Sequence, residues 1–258
     1  MQKITIKNSK GQNIAAVVHS REGETRKLAI LCPGFLDSKD YHHLAGLGEA
    51  LAKEGYTAVR FDPTGTWESE GDISEYNTTQ YLQDIKSVKA YMFEEQKYDH
   101  LLMVGHSRGG RVSLIYSAND PEVSKVVGIM PSAISTPRDS AKQRRNDKWK
   151  EEGKMTSKRD VPGNEKEVRE FTVPYSFLED SMKYDTFEEA SKIHVPILLI
   201  TGEKDTIIPP EEVKEIYSNA NEPKKFVIIP GIGHDYRHNL GEVEIVNKVI
   251  VDYLKSLK

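Results

Sequence analysis

A serine set between two glycines is the first place in this chain where residue type and spacing suggest chemistry. Leu101-Leu102-Met103-Val104-Gly105-His106-Ser107-Arg108-Gly109-Gly110 reads as an apolar strand, then Gly-x-Ser-x-Gly, then a helix start. A sharp strand-to-helix turn forces its serine into a strained backbone and lifts the hydroxyl out of the sheet. Side chains two residues before and after would clash, so Gly105 and Gly109 stand there. The helix that begins beside Ser107 turns its positive end toward a developing oxyanion. A hydroxyl is a weak nucleophile, so a base is required, and the base needs an orienting group.

On such a turn the expected chain order is serine, acid, histidine. Thr201-Gly202-Glu203-Lys204-Asp205 follows an apolar strand, and Pro230-Gly231-Ile232-Gly233-His234 follows the next one. Asp205 and His234 therefore stand where an acid and a base belong, with Glu203 as a rival acid. Of the other histidines, His42 and His43 follow an early strand, His106 lies inside the turn, and His194 precedes a strand. His234 and His238 have a spacing that suits a metal on a helix, but no Glu follows His234 in an H-E-x-x-H pattern, so no metal is expected. An oxyanion hole needs two backbone donors. Arg108, immediately after the nucleophile, is expected to supply one. The other should come from Cys32-Pro33-Gly34-Phe35-Leu36, where Pro33 has no N–H and Phe35 follows the small Gly34.

These residues need a frame. Residues 3–7 and 12–19 read as strands around a Ser9-Lys10-Gly11 turn. Apolar runs at 28–32, 56–61, 101–104, 125–130, 195–200 and 225–229 then alternate with helical periodicity at 41–54, 78–96, 109–118, 210–219 and 241–257. Continuous apolar strands between helices predict a mostly parallel sheet of about eight strands, covered by helices on both faces. Chemistry on such a sheet lies beyond the carboxyl ends of the strands. The core is expected over 1–131 and 191–258. Residues 132–190 interrupt the rhythm and read as a small, largely helical cap. Its first half is rich in charge, and aromatic residues return at Phe171, Tyr175, Phe177, Tyr184 and Phe187.

Composition narrows the classes further. The 258 residues carry a formal net charge of −4, a poor match for a nonspecific nucleic-acid binder. The basic run at Lys142, Arg144 and Arg145 is interleaved with Asp139, Asp147, Glu151 and Glu152, which reads as a solvated helix face. No apolar run is long enough to span a bilayer, and the first residues lack the apolar stretch of a signal peptide, so a cytoplasmic protein with no membrane partner is expected. Cys32 is the one cysteine; it excludes an intrachain disulfide and reads as a small buried residue.

Together the Ser107 turn, the Gly202–Asp205 loop and the Gly231–His234 loop resemble the α/β-hydrolase superfamily. Phe61-Asp62-Pro63-Thr64-Gly65-Thr66-Trp67-Glu68-Ser69-Glu70-Gly71 is similar to that family's F-D-x-x-G-x-G-x-S-x-G loop. The combination looks most like the bacterial feruloyl/cinnamoyl esterases and the acylglycerol-lipase-like group. The resemblance implies a serine esterase that needs no cofactor and acts on a small-molecule ester; a monomer or homodimer is expected. It also implies Trp67, Phe171, Tyr175 and Phe177 as candidate substrate-binding residues, Trp67 either in the acyl pocket or packed beneath the cap. Cys32-Pro33 replaces the usual His-Gly, Trp67 replaces a Gly, and Arg108 stands where these esterases often carry Gln. The Arg108 side chain is expected in a structural salt bridge, with a substrate anion as the alternative. Thioesterase, peptidase and lactone hydrolase are the rival activities, and a noncatalytic ligand receptor is the rival class.

Overall fold

The computed structural model describes residues 1–257 apart from 22, 24 and 134–139, and excludes the side chains of 140–142 and 165. Asp139 and the side chain of Lys142 thus lie outside the described residues. The chain opens with an antiparallel pair, β1 (Gln2–Lys7) and β2 (Asn13–His19), turning where Gly11 adopts φ 78°. Strand–helix units follow: β3 (Lys27–Cys32), α1 (His42–Lys53), β4 (Thr57–Phe61), α2 (Thr78–Glu95), β5 (His100–His106), α3 (Arg108–Asn119) and β6 (Val123–Ile129). The last units are β9 (Ile197–Gly202), α7 (Pro210–Asn219), β10 (Lys224–Ile229) and α8 (Leu240–Ser256). Between β6 and β9 lie α4 (Ser140–Glu152), β7 (Lys154–Val161), β8 (Asn164–Pro174), α5 (Ser176–Ser181) and α6 (Thr186–Ser191).

The main sheet has eight strands in the order β1-β2-β4-β3-β5-β6-β9-β10. The β1–β2 and β2–β4 pairs are antiparallel and the remaining pairs parallel. Alternation along the central strands sends side chains to opposite faces, both of them buried. Leu28, Ile30, Leu101, Met103, Ile197 and Leu199 join the core under α2, α3 and α7. Ala29, Leu31, Leu102, Val104, Leu198 and Ile200 join the core under α1 and α8. Each fully buried large side chain contributes about 1.5–3 kcal/mol.

The interruption expected to be largely helical also contains a hairpin: β7 and β8 pair antiparallel through the Pro162-Gly163 turn, where Gly163 adopts φ 77°. Its strands alternate exposed, mostly polar residues with an inner row, of which Phe171 and Val173 are the buried members among the described residues. Apolar periodicity is therefore weak along it, and the Pro-Gly turn between Val161 and Asn164 was the available signal. In α4, Arg144 and Arg145 are exposed while Asn146 and Trp149 are buried. Trp149, Phe171, Val173, Phe177 and Leu178 form a third apolar cluster with Leu36, Tyr41, Trp67 and Tyr76 of the core loops. Polar ties fix the same contact. Arg159 donates to the Phe35 carbonyl, Arg169 to the Trp67 carbonyl, and Arg237 to Asp160.

Trp149 is 3% exposed, stacks on Phe177 and donates its indole N–H to the Val173 carbonyl. Trp149→Ala is expected to cost about 3–5 kcal/mol. Hydrogen exchange should speed up over 140–181 while β3 and β5 stay protected. Equal loss of protection in the central sheet would show that the insertion does not fold as a separable unit.

Candidate active site

Ser107 sits between β5 and α3 with φ 54° and ψ −118°, a backbone that non-glycine residues seldom adopt. Its N–H donates to the Ile129 carbonyl (2.8 Å), and its carbonyl accepts from Arg111 N–H (3.1 Å). The flanking glycines are sterically required. A Cβ on Gly105 would lie 2.2 Å from Gly109 carbon, and one on Gly109 would lie 2.0 Å from the Cys32 carbonyl oxygen. These contacts seat the helix start against the end of β3.

The structure brings Ser107, His234 and Asp205 into one hydrogen-bonded line. His234 Nε2 lies 3.0 Å from Ser107 Oγ, and His234 Nδ1 lies 2.7 Å from Asp205 Oδ2. Asp205 is buried, and its other oxygen accepts from the Ile207 and Ile208 amides at 2.9 and 2.8 Å. That arrangement fixes the carboxylate and, with it, the imidazole tautomer that carries its proton on Nδ1. Glu203 has another partner: its carboxylate accepts from Gly231 N–H (2.9 Å) and so secures the loop that carries His234. With both ring nitrogens of His234 engaged, pairing with His238 around a metal has no free donor. Cys32 is fully buried, and burial pushes its thiol up to about 12, the reverse of what a nucleophile needs.

The loop after β3, from which the second oxyanion donor was expected, is held from several sides. The Gly34 carbonyl accepts from Asp37 N–H (3.3 Å) and from Tyr76 Oη (3.4 Å). A trans peptide turns the Phe35 N–H the opposite way. The next peptide is held at both ends, its N–H by Tyr76 Oη (2.8 Å) and its carbonyl by Arg159 Nη2 (2.8 Å). Lys39 anchors the same loop through the buried Asp62: the Lys39 N–H and Nζ donate to its carboxylate at 2.7 and 3.1 Å. Burial pushes the Lys39 ammonium down, but the carboxylates of Asp62, Asp40 and Glu68 outweigh it and hold its pKa above the ordinary value. Neither Arg159 nor Lys39 stood out in the sequence, because the group each one holds, the Phe35 carbonyl or the Asp62 carboxylate, lies far from it along the chain.

The aromatic candidates fall into two groups. Trp67 donates its indole N–H to the Leu36 carbonyl (3.0 Å) and meets Phe171 edge-on, so the Trp67 ring packs beneath the insertion against a ring that the insertion supplies. Phe177 meets Phe35 edge-on at 5.2 Å and stacks on Tyr76 at 5.8 Å, beside the oxyanion loop. Tyr175 is half-buried against the same cluster. The salt bridge expected for Arg108 does not form among the described residues: its guanidinium is surrounded by aromatic rings instead.

Behind His234 lies a buried polar cluster that the sequence left scattered. Asp37 Oδ2 is 3.6 Å from His106 Nδ1 and 4.0 Å from His43 Nε2, and the His106 ring is 4.8 Å from that of His234. Among the described residues these three form the set whose donor spacing suits a metal ion. Burial pushes His43 down to about 3, and it also lowers His106 against the pull of Asp37. For Asp37 itself, burial pushes upward, and the His106 contact, the two imidazoles and Arg159 outweigh it and leave the carboxyl well below its ordinary range.

Two family profiles match the chain, one described as alpha/beta hydrolase fold over residues 28–153 and one as serine aminopeptidase, S33, over 162–240. With the sheet order above, the chain has the α/β-hydrolase fold. Among named relatives, it is 22% identical over 231 residues to palmitoyl-protein thioesterase ABHD10, mitochondrial, of Rattus norvegicus, covering 88% of this chain and 75% of that protein. Among solved structures, Est1E from Butyrivibrio proteoclasticus with bound ferulic acid superposes with a TM-score of 0.78 at 18% identity over 98% of both chains. The mouse alpha/beta hydrolase domain-containing protein 10 superposes with a TM-score of 0.78 at 19% identity over 100% of both chains. No helix among the described residues is long and apolar enough to cross a membrane.

The buried imidazoles set an acid limit on stability. Burial, then the Arg60 charge, push His19 from its ordinary 6.5 down to about 4, and His43 falls to about 3. The unfolded chain therefore binds more protons below pH 6.5, so stability is present above that pH and is lost as pH falls toward 4. Urea midpoints should drop across that window, and His19→Gln should flatten the slope. An unchanged slope in that variant would refute the assignment to His19.

Proposed function

We propose that this protein is a serine hydrolase of carboxylic esters working through an acyl-enzyme. The observation that carries the reading is the Ser107–His234–Asp205 line mounted on a strained nucleophile turn. His234 Nε2 takes the Oγ proton as Oγ bonds to the ester carbon, and negative charge develops on the former carbonyl oxygen. The Phe35 and Arg108 N–H groups donate to that oxygen, aided by the α3 dipole. Collapse breaks the carbon–alkoxy bond, and the alcohol leaves with the proton from His234. Water then gives a proton to His234 and bonds to the acyl carbon. Ser107 Oγ departs as the acid is released and recovers its proton.

Thioester hydrolysis is the second reading, supported by the relation to a palmitoyl-protein thioesterase. The steps are the same, with a thiol as leaving group, and a thiolate departs with less help from His234 as an acid. Comparing a butyryl thioester with p-nitrophenyl butyrate and an aminoacyl p-nitroanilide separates ester, thioester and peptide preference. The Ser107→Ala variant is expected to lose about 10⁶ in kcat, and Asp205→Asn about 10⁴. Turnover near that of the wild type by Ser107→Ala would end the proposal.

A further inference from the structure

The side chain of Arg108 is a buried charged group that the hydrolytic steps leave unused. Arg108 is 7% exposed, and its guanidinium lies 4.1 Å from the Tyr76 ring centre, 4.7 Å from Phe177 and 5.0 Å from Tyr81. Ring faces stabilise the cation but supply no acceptor for its in-plane N–H donors. Nη1 and Nη2 are buried, and neither has a hydrogen-bond partner among the described residues. A guanidinium left so is costly unless an anion completes it.

Arg111, one turn along the same helix, shows how the fold treats a buried guanidinium that serves structure. Its Nε donates to Thr186 Oγ1 (3.0 Å), its Nη1 to Ser181 Oγ, and its Nη2 to the Ser181 and Tyr184 carbonyls (2.8 and 2.6 Å). Burial, and then the Arg108 charge, push Arg111 down to about 10 against the pull of Asp185, Asp180 and Glu212. Two arginines share a helix and a degree of burial, yet only Arg111 is saturated by the protein.

The location ties Arg108 to the reacting centre. It follows Ser107 directly, and the Tyr76 and Phe177 rings that hold its guanidinium also contact the Phe35 ring of the oxyanion loop. Building on the hydrolase reading, we propose that the Arg108 guanidinium binds a carboxylate carried by the ester substrate, so that the site selects monoanionic esters. The planar fork of Arg matches a carboxylate through two parallel hydrogen bonds. One free guanidinium balances a single negative charge, which favours a carboxylate over a dianionic phosphate. The Nη atoms are shielded from water, so part of the cage must yield as the anion arrives. Phe177, the one ring of the three borne by the insertion, is the wall that yields.

The test compares the p-nitrophenyl half-ester of adipic acid with its methyl-capped diester, after subtracting spontaneous hydrolysis. Wild-type kcat/KM is expected to favour the half-acid by about 10- to 100-fold, mainly through KM. Arg108→Gln should abolish that ratio, whatever it does to turnover of the neutral ester, and Arg108→Lys should restore part of it. The wild-type comparison stands alone if the variants fail to fold. Equal kcat/KM for the two esters, or a ratio unchanged by Arg108→Gln, overturns the carboxylate proposal alone. Turnover of neither ester, with Ser107 resistant to a fluorophosphonate, overturns the hydrolase reading and this proposal with it.

Discussion

The close approach of Gly109 to the carbonyl end of β3 is the contact on which the rest of the candidate site depends. With a β-carbon excluded by the Cys32 and Pro33 carbonyls, the first turn of α3 lies directly against the loop that follows β3. The residue that follows Ser107 and the loop that carries Phe35, distant along the chain, are thereby brought together. The positive φ of Ser107 is the strain that accompanies this packing. It persists because the Ile129 carbonyl and the α3 backbone hold the residue from both sides.

A second constraint comes from the insertion, which holds the loop after β3. Arg159 from β7 holds the Phe35 carbonyl, and Tyr76 holds the amide of the same peptide. Rotation of that peptide would break both bonds, so the direction of the neighbouring Phe35 N–H is set partly by a segment more than a hundred residues away. The third apolar cluster completes the tie, since Phe177 packs on the Phe35 and Tyr76 rings of the core loops and Trp149 stacks behind it. Movement of the insertion and shape of the oxyanion loop are therefore coupled through one peptide plane and one group of rings.

Polar burial around the site follows two different rules. Arg111, Asp205 and Asp62 are satisfied by donors or acceptors of the chain itself, so their charges rigidify loops. Arg108 and the His43–His106 pair keep buried nitrogens without partners, immediately beside and behind the reacting groups. Unmet polar groups are rare in protein interiors, and their concentration here marks the region as one shaped by something other than stability alone.

The strands and helices of the main sheet were legible because apolar runs and helical periodicity are local patterns. Expected and observed bounds agree to within about two residues in most elements, as for residues 41–54 against His42–Lys53. Asp205 and His234 were legible by their places after strands in a fixed chain order, and Gly105 and Gly109 by the turn that needs them. The hairpin was not, because charged residues on its exposed row mask its period. Nor were the Asp37–His43–His106 cluster, the anchoring role of Lys39, or the absence of an ion pair at Arg108. The sequence by itself determined which segments must be buried, where the backbone must turn sharply, and which side chains had the chemistry to act. Only the tertiary structure decided which buried charges find partners, because a polar group's partner is set by proximity in space, and groups such as Arg111 and Ser181, 70 residues apart, meet only in the fold.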